Sequence, residues 1–428
     1  MHIKTLLLAA CLAGPSFVGA SWADEPDGLK LPPGFHATVV ADHLGVLRHL
    51  AFRDANDLYV STQWNTQGTS GDLIAIHLDA DHKADKTVHF GAMGGGTGIR
   101  IYRGALYATS TSRVYRYSFH GKDLVPVSEP AIVLDGMPAT RNTARGLAFD
   151  DKGNLYVSMG ATAAANMCAD PNSPKGAPPV GLKPCPLLDV RSGIWRFSAT
   201  KLNQQFPKDG ERVATGIRDM AALSWSPADN ALYGIMHGRD NTYKDFPKLV
   251  TPDNDDAISD EMHKVTKNTD FGWPYTYYNG VRNIRVVAPE YSGNNNTEAP
   301  AGQYDTPVEA FHSRSSPLDL VFYTGAGFPA SYRNGAFITR HGGGGAQRPA
   351  GASVSNNGFD IVFIPFDKNG KSGPMQEFAT GFAGPDPGDR VANRAKTRPV
   401  GAAVAPDGSL YVTDSQSGRI WRIQYTGN

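Results

Sequence analysis

The chain predicts an all-β fold, a six-bladed β-propeller built from four-stranded antiparallel blades. Three observations carry that prediction. First, one paragraph recurs along the sequence: an apolar run, a tight turn, then Leu-Tyr or Ala-Phe in an alternating segment. It reads RHLAFRDANDLYVST from Arg48, TGIRIYRGALYATST from Thr97, RGLAFDDKGNLYVSMG from Arg145 and RDMAALSWSPADNALYGIMHG from Arg218. It returns as SPLDLVFYTGAGFPASYRNGAFITRHG from Ser316 and RPVGAAVAPDGSLYVTDS from Arg398, which makes six copies. Second, the runs are rich in β-branched and aromatic residues and are punctuated by Asp-Gly, Asn-Gly and Ser-Gly, so they read as strands joined by tight turns. Third, the repeat spans tens of residues, a period that means a solenoid or a propeller, and blades of four antiparallel strands favour the propeller.

The elements follow in order. Residues 1–23 carry Lys4, an apolar stretch from Thr5 to Ala13, and small residues Ser21 and Ala23, the pattern of a secretory signal cut after Ala23. That apolar stretch is too short to span a bilayer, and no other stretch could do so. Residues 24–428 read as a single propeller domain. Asp24 to Pro33 is a polar entry, and Phe35–Val40 begins the first blade as an outer strand, closing the ring against the C-terminal strands. Blade one then runs to Leu78, blade two from Val88 to Phe119 and blade three from Ile132 to Phe197. An insertion, 161–190, interrupts blade three. Blade four runs from Val213 to Thr266 and holds an acidic loop with Asp240, Asp253, Asp255 and Asp256. The long connection Asn268–Asn296 contains FGWPYTYY. Blade five covers Pro307 to Pro365 with a glycine run at Gly342–Gly345, and blade six ends the chain.

Lys plus Arg and Asp plus Glu both number 41, so bulk charge points to neither a nucleic-acid partner nor a membrane surface. Gly 47 and Pro 30, spread through the chain, suit a turn-rich β fold. With the signal removed, Cys11 goes too, and Cys168 and Cys185 remain in one Pro- and Gly-rich loop. In an exported protein they most simply form a disulfide. A metal pair would need a supporting His cluster that the neighbourhood lacks.

Arg48, Arg145, Arg218 and Arg398 stand at one equivalent position, the start of an inner strand. Inner strands line a propeller's channel, so these guanidinium groups would ring one mouth. Facing arginines repel unless an anion holds them together, which suggests an anionic guest bound by bidentate contacts. The alternative is that each pairs with a local carboxylate such as Asp54, Asp150, Asp219 or Asp407. In blade five the equivalent is Ser316-Pro317, and Arg340-His341 closes the second strand just before the glycines. His237 has no second His at ligand spacing and reads as structural. Trp273 reads as packing, and Gly342–Gly345 has no following Lys or helix and is not a phosphate loop.

A set of segments resembles the soluble quinoprotein sugar dehydrogenases, specifically the L-sorbosone dehydrogenase-like periplasmic group. They are LPPGF, FDDKGNLYVSMG, the Cys168 to Cys185 loop, SGIWRFSA, ERVATGIRDMAAL, HGRD, DFGWPY, FYTGAGFPASYRNGAFITRHG, RPVGAAVAPDGSLYVTDS and GRIWRIQY. The resemblance covers nearly all of residues 24–428. It implies pyrroloquinoline quinone (PQQ) and calcium at the channel mouth, oxidation of an aldose or sugar aldehyde, and electron delivery to a quinone or a cytochrome-like carrier. By resemblance, Arg48, Arg145, Arg218, Asp219, Arg340 and Arg398 would bind the cofactor, Asp240 and Asp260 would serve the metal, and Asn142, Arg218 and His341 would occupy the catalytic positions.

The sequence departs from that family where the chemistry sits. The family places a general-base His three residues before the blade-three arginine, and here the residue is Asn142, which has no proton to exchange near neutral pH. Ile-Arg-Asn becomes Ile217-Arg218-Asp219, and the His341 loop is filled with glycine, with Arg348 further on. His341, His49 or Asp219 would have to act as base. The alternative is a non-catalytic propeller that binds PQQ or a sugar without turnover. A calcium-dependent lactonase ranks last, because no inward-facing set of Glu, Asn and Asp can be assembled from the repeats.

Overall fold

The computed structural model describes residues 22–64, 71–92, 96–126, 129–139, 144–161, 166–343 and 357–427. The expected signal segment up to residue 21, Asn142, Gly344, Gly345 and Arg348 lie outside the described residues.

Six antiparallel sheets of four or five strands form the ring. Their inner strands are Val46–Phe52, Ile99–Tyr102, Leu147–Phe149, Ala222–Ser226, Pro317–Phe322 and Pro399–Val404. Each touches the next, and the last touches the first, so the ring is closed around a central axis. Closure comes from the N-terminal side: Phe35–Ala41 pairs antiparallel with Ile420–Tyr425 and completes the blade of the C-terminal strands. It is therefore the outer strand of blade six, not the first strand of blade one.

The same correction applies around the ring. Ala84–Ala92, Ala131–Asp135, Glu211–Thr215 and Glu309–Phe311 are the outer strands of blades one to four. The sequence reading began the following blade with them. An outer strand is followed directly by the next inner strand, so chain order alone cannot say to which blade it belongs. Blades two and three gain a short parallel fifth strand, Gln204–Gln205 and Thr269–Asp270.

The Leu-Tyr signature has a direct structural reason. Successive strand residues face opposite sides. Leu58, Leu106, Leu155, Leu232 and Leu410 therefore pack into the seam with the preceding blade, and Tyr59, Tyr107, Tyr156, Tyr233 and Tyr411 into the seam with the following one. Ala336-Phe337 does the same in blade five. One apolar cluster fills each of the six seams.

In five of the six blades a hydroxyl stands two residues beyond this aromatic, on the same strand face, and ties one blade to the next. Ser61 Oγ accepts from the His49 N–H at 3.2 Å and donates to the Thr97 carbonyl at 2.7 Å. Ser158 Oγ accepts from Gly146 N–H at 3.0 Å and donates to the Met220 carbonyl at 2.7 Å. Thr109, Thr339 and Thr413 repeat the arrangement toward the carbonyls of Arg145, Val400 and Arg48. Blade four has Ile235 at this position, and its seam is crossed instead by His237, whose Nε2 lies 2.7 Å from the Pro317 carbonyl. At Gly401 a Cβ would press against the Arg48 carbonyl and the His49 backbone, so the closing seam requires glycine there.

The insertion between the second and third strands of blade three is present. Cys168 and Cys185 are disulfide-bonded with a Cα–Cα distance of 6.0 Å, and they pack on Trp273. Among the described residues no helix is long and apolar enough to cross a membrane.

Candidate functional site

A cavity of about 210 Å³ lies on the ring axis at the mouth where the inner strands begin. Every blade or its leading segment contributes: Arg48, His49 and Gln63, Thr97, Ala144, Asp219 with His237, Leu318 and Val400. Larger clefts of about 510 and 710 Å³ lie elsewhere and share no residue with it.

The arginines do not behave as one set. Arg48 hydrogen-bonds Gln63, and its Nε is buried with no partner among the described residues. Arg398 donates to the carbonyls of His341 and Gly342 and lies over the Phe359 ring. Burial holds both guanidinium groups down to about 10, and for Arg48 the nearby Arg398 charge adds to the effect. Two like charges thus meet at the mouth with no side-chain carboxylate bound to either guanidinium among the described residues.

Arg145 and Arg340 are spent elsewhere. Arg145 is buried and donates to the Thr111 carbonyl at 2.9 and 3.0 Å and to the Pro138 carbonyl at 2.6 Å. Arg340 makes a buried bidentate pair with Asp360 at 2.5 and 2.7 Å. Neither lines the cavity, where the sequence reading expected them to hold a guest. Arg218 is intermediate: Nη2 donates to Asn166 at 2.9 Å and to Asp240 at 3.0 Å, while Nε is buried without a partner among the described residues. The carboxylates proposed as local partners serve others. Asp54 pairs with Arg53, Asp407 with Arg422, and Asp150 caps its own turn through Lys152 and Asn154.

Asp219 faces His237, with 3.7 Å between Oδ2 and Nδ1. Burial disfavours the charged imidazole, but Asp219, Asp260 and the Pro317 carbonyl outweigh it and raise His237 to about 9. His341 behaves oppositely. Burial, then the Arg398, Arg48 and His237 charges, push its pKa well below the ordinary value, and its Nε2 lies 2.7 Å from Ser415 Oγ. His341 is therefore neutral at pH 7.

His49, on the cavity wall, has both ring nitrogens against carbonyls, Thr97 at 2.8 Å and Leu318 at 2.9 Å. A carbonyl stands at each nitrogen, so neither is open to take a proton from a substrate. Behind it Asp319, fully buried, accepts from Arg100 at 3.2 Å and from the Ala402 N–H at 3.0 Å, linking three blades across the axis.

The acidic residues expected to serve a metal are engaged. Asp240 holds Arg218, and Asp260 accepts from Gly238 N–H at 2.9 Å, Ser315 Oγ at 3.0 Å and Ser316 N–H at 2.9 Å. Among the described residues no group of three His, Cys, Asp or Glu could hold a metal ion. Sequence reasoning missed Gln63, Asn166 and the His237 wall, because none repeats between blades: Gln63 and His237 stand at the ends of second strands and Asn166 comes from the inserted loop.

The fold has close counterparts. A calcium structure of the Trichoderma reesei family AA12 enzyme superposes with a TM-score of 0.71 at 18% identity, covering 92% of this chain and 96% of that one. The holo form of the pyranose dehydrogenase PQQ domain from Coprinopsis cinerea gives 0.68 at 14% identity, covering 95% and 99%. The PQQ-bound aldose sugar dehydrogenase from Streptomyces coelicolor gives 0.56 at 16% identity, covering 92% and 99%. An uncharacterized protein of Borreliella burgdorferi is 27% identical over 222 residues, 51% of this chain, which spans about half (50%) of that relative. The TrAA12-like family model matches residues 29–426, and the chain belongs to the TrAA12-like family.

Proposed function

We propose that this protein is a PQQ-dependent oxidoreductase that oxidises an aldose or a sugar aldehyde at the channel mouth. The observation that carries this reading is the close approach of the Arg48 and Arg398 charges, neither guanidinium hydrogen-bonded to a carboxylate among the described residues, with the Nε donor of Arg48 orphaned on the cavity wall. Buried donors left unpaired are costly, so their presence at a mouth argues for a guest that supplies acceptors. PQQ fits that donor set, because its three carboxylates give planar guanidinium groups bidentate partners. When bound, it supplies a two-electron acceptor, and the protein supplies binding, orientation and electrostatics.

In this reading Arg48 and Arg398 hold carboxylates, and Arg218 presents its free edge to the quinone oxygens. His341 is neutral and can accept a hydroxyl proton at Nε2, with Ser415 turning its O–H away. The described carboxylates do not fit a calcium site built from side chains, and no step here depends on one. The disulfide supports work outside the cytoplasm, consistent with the secretory pattern of the first residues. Electrons would leave to a soluble carrier or a membrane quinone.

The test is to add PQQ and calcium chloride to purified protein and follow dye reduction across a panel of sugars. Absence of PQQ binding at micromolar concentration ends the reading. Asn142, where the family carries its base, favours a second reading, a propeller that binds the quinone or a sugar without turnover. Dye reduction above background would dispose of that one.

A further inference from the structure

The inserted loop of blade three reaches the mouth through one side chain. Asn166 lies two residues before Cys168. Its Oδ1 accepts from Arg218 Nη2 at 2.9 Å and from the Asp240 N–H at 3.1 Å, and its Nδ2 donates to the Asp240 carbonyl at 2.6 Å. Its own carbonyl accepts from Trp273 Nε1 at 3.1 Å. Only a carboxamide can meet these demands, with two donors arriving at one oxygen and one acceptor at the nitrogen. Arg218's remaining anchor is Asp240, whose side chain is 45% exposed and whose backbone Asn166 also holds.

The backing of Asn166 is the disulfide. Trp273 packs against Cys168 and Cys185 while its indole N–H donates to Asn166. The Cys185 N–H donates to Tyr275 Oη at 3.0 Å, and Tyr291 Oη donates to the Leu182 carbonyl at 3.0 Å, which pins the loop to the segment that follows blade four's third strand.

We infer that Asn166 is a positioning residue for Arg218 and that the Cys168–Cys185 bridge sets where it stands, so that the mouth's hold on an anionic guest depends on the redox state of this disulfide. The inference rests on the reading of the mouth as a quinone site. On reduction, an added small-molecule dithiol supplies two electrons and two protons, the Cys168–Cys185 S–S bond becomes two thiols, and the reagent closes to its own cyclic disulfide.

Two measurements on the full chain test this. PQQ with calcium chloride is titrated into wild type, Asn166→Ala, Arg218→Ala and the double variant. Asn166→Ala should weaken binding about tenfold, the worth of one charge-assisted hydrogen bond. The double variant should bind no more weakly than Arg218→Ala, and additive losses overturn the inference. Independently of any ligand, the Arg218 Nε–H signal of the free protein, assigned by its loss in Arg218→Lys, should shift and exchange faster in Asn166→Ala and after dithiol treatment. Asn166→Asp keeps the acceptor for Arg218 but loses the donor to the Asp240 carbonyl, so its signal should fall between wild type and Asn166→Ala, which guards against a folding defect. A signal unmoved by Asn166→Ala, or by reduction, overturns the corresponding half of the inference. If wild type does not bind PQQ but the signal moves as stated, the quinone reading falls and the positioning role stands.

Discussion

His237 and His341 share one mouth and carry opposite charge habits, which makes them its pH sensors. His237 is raised to about 9, so its contribution to stability is complete below about 6.5 and fades as pH rises through 9. His341 is depressed, so the unfolded chain binds the proton more readily, and stability is lost as pH falls below about 6.5. Imidazole resonances followed by NMR should therefore show one ring charged and the other neutral at pH 7. Asp219→Asn should bring His237 down, and an unchanged midpoint would show that Asp219 is not its partner. Arg48 and Arg398 allow a second prediction. Replacing either by Ala should weaken PQQ binding about 10- to 100-fold, while Arg145→Lys, whose partners are backbone carbonyls, should leave it within a few-fold of wild type. Calorimetric titration separates these outcomes. At this scale the sequence supplied the candidates but not their partners. Arg48, Arg145 and Arg340 look alike in the repeat, and only the chain's return past Gln63, Thr111 and Asp360 separates a free cation from a spent one.

A strand in this ring has three duties that are visible in its own letters: a leucine for one seam, a tyrosine for the next and a hydroxyl to tie the next blade's backbone. Thr413→Val keeps the shape and removes the tie to the Arg48 and Gly401 backbone, so it should cost about 1–2 kcal/mol in chemical denaturation. No change would mean that water replaces the hydroxyl. The closing strand matters more. Phe35 is 1% exposed and meets Phe328, Tyr332 and Phe378 at centroid distances of 4.8 to 5.2 Å. Phe35→Ala should cost about 3–5 kcal/mol, read as a lowered unfolding midpoint. Most strands were legible from alternation and turn residues. The outer strands were read into the wrong blades, because pairing to the preceding or the following blade leaves the same alternation.

Across the whole molecule, the ring is held by neighbour contacts all the way round, and one loop is stapled besides. The Cys168→Ala/Cys185→Ala variant should lose about 3 kcal/mol by denaturant titration while its far-UV spectrum stays that of the propeller. An unchanged midpoint would show that the loop is already held by Trp273 and Tyr275. By itself the sequence determined the number of blades, the Leu-Tyr signature that each repeats, and the closing of the ring by its own N-terminal strand. These are local and repeated, and each copy meets the same packing demand. Only the tertiary structure decided which cations stand free, that Asn166 and His237 border the mouth, and that Asp240 and Asp260 are engaged by protein donors. A polar side chain's partner is chosen by segments far away in the chain, and no period in the letters records which loop will fold back to meet it.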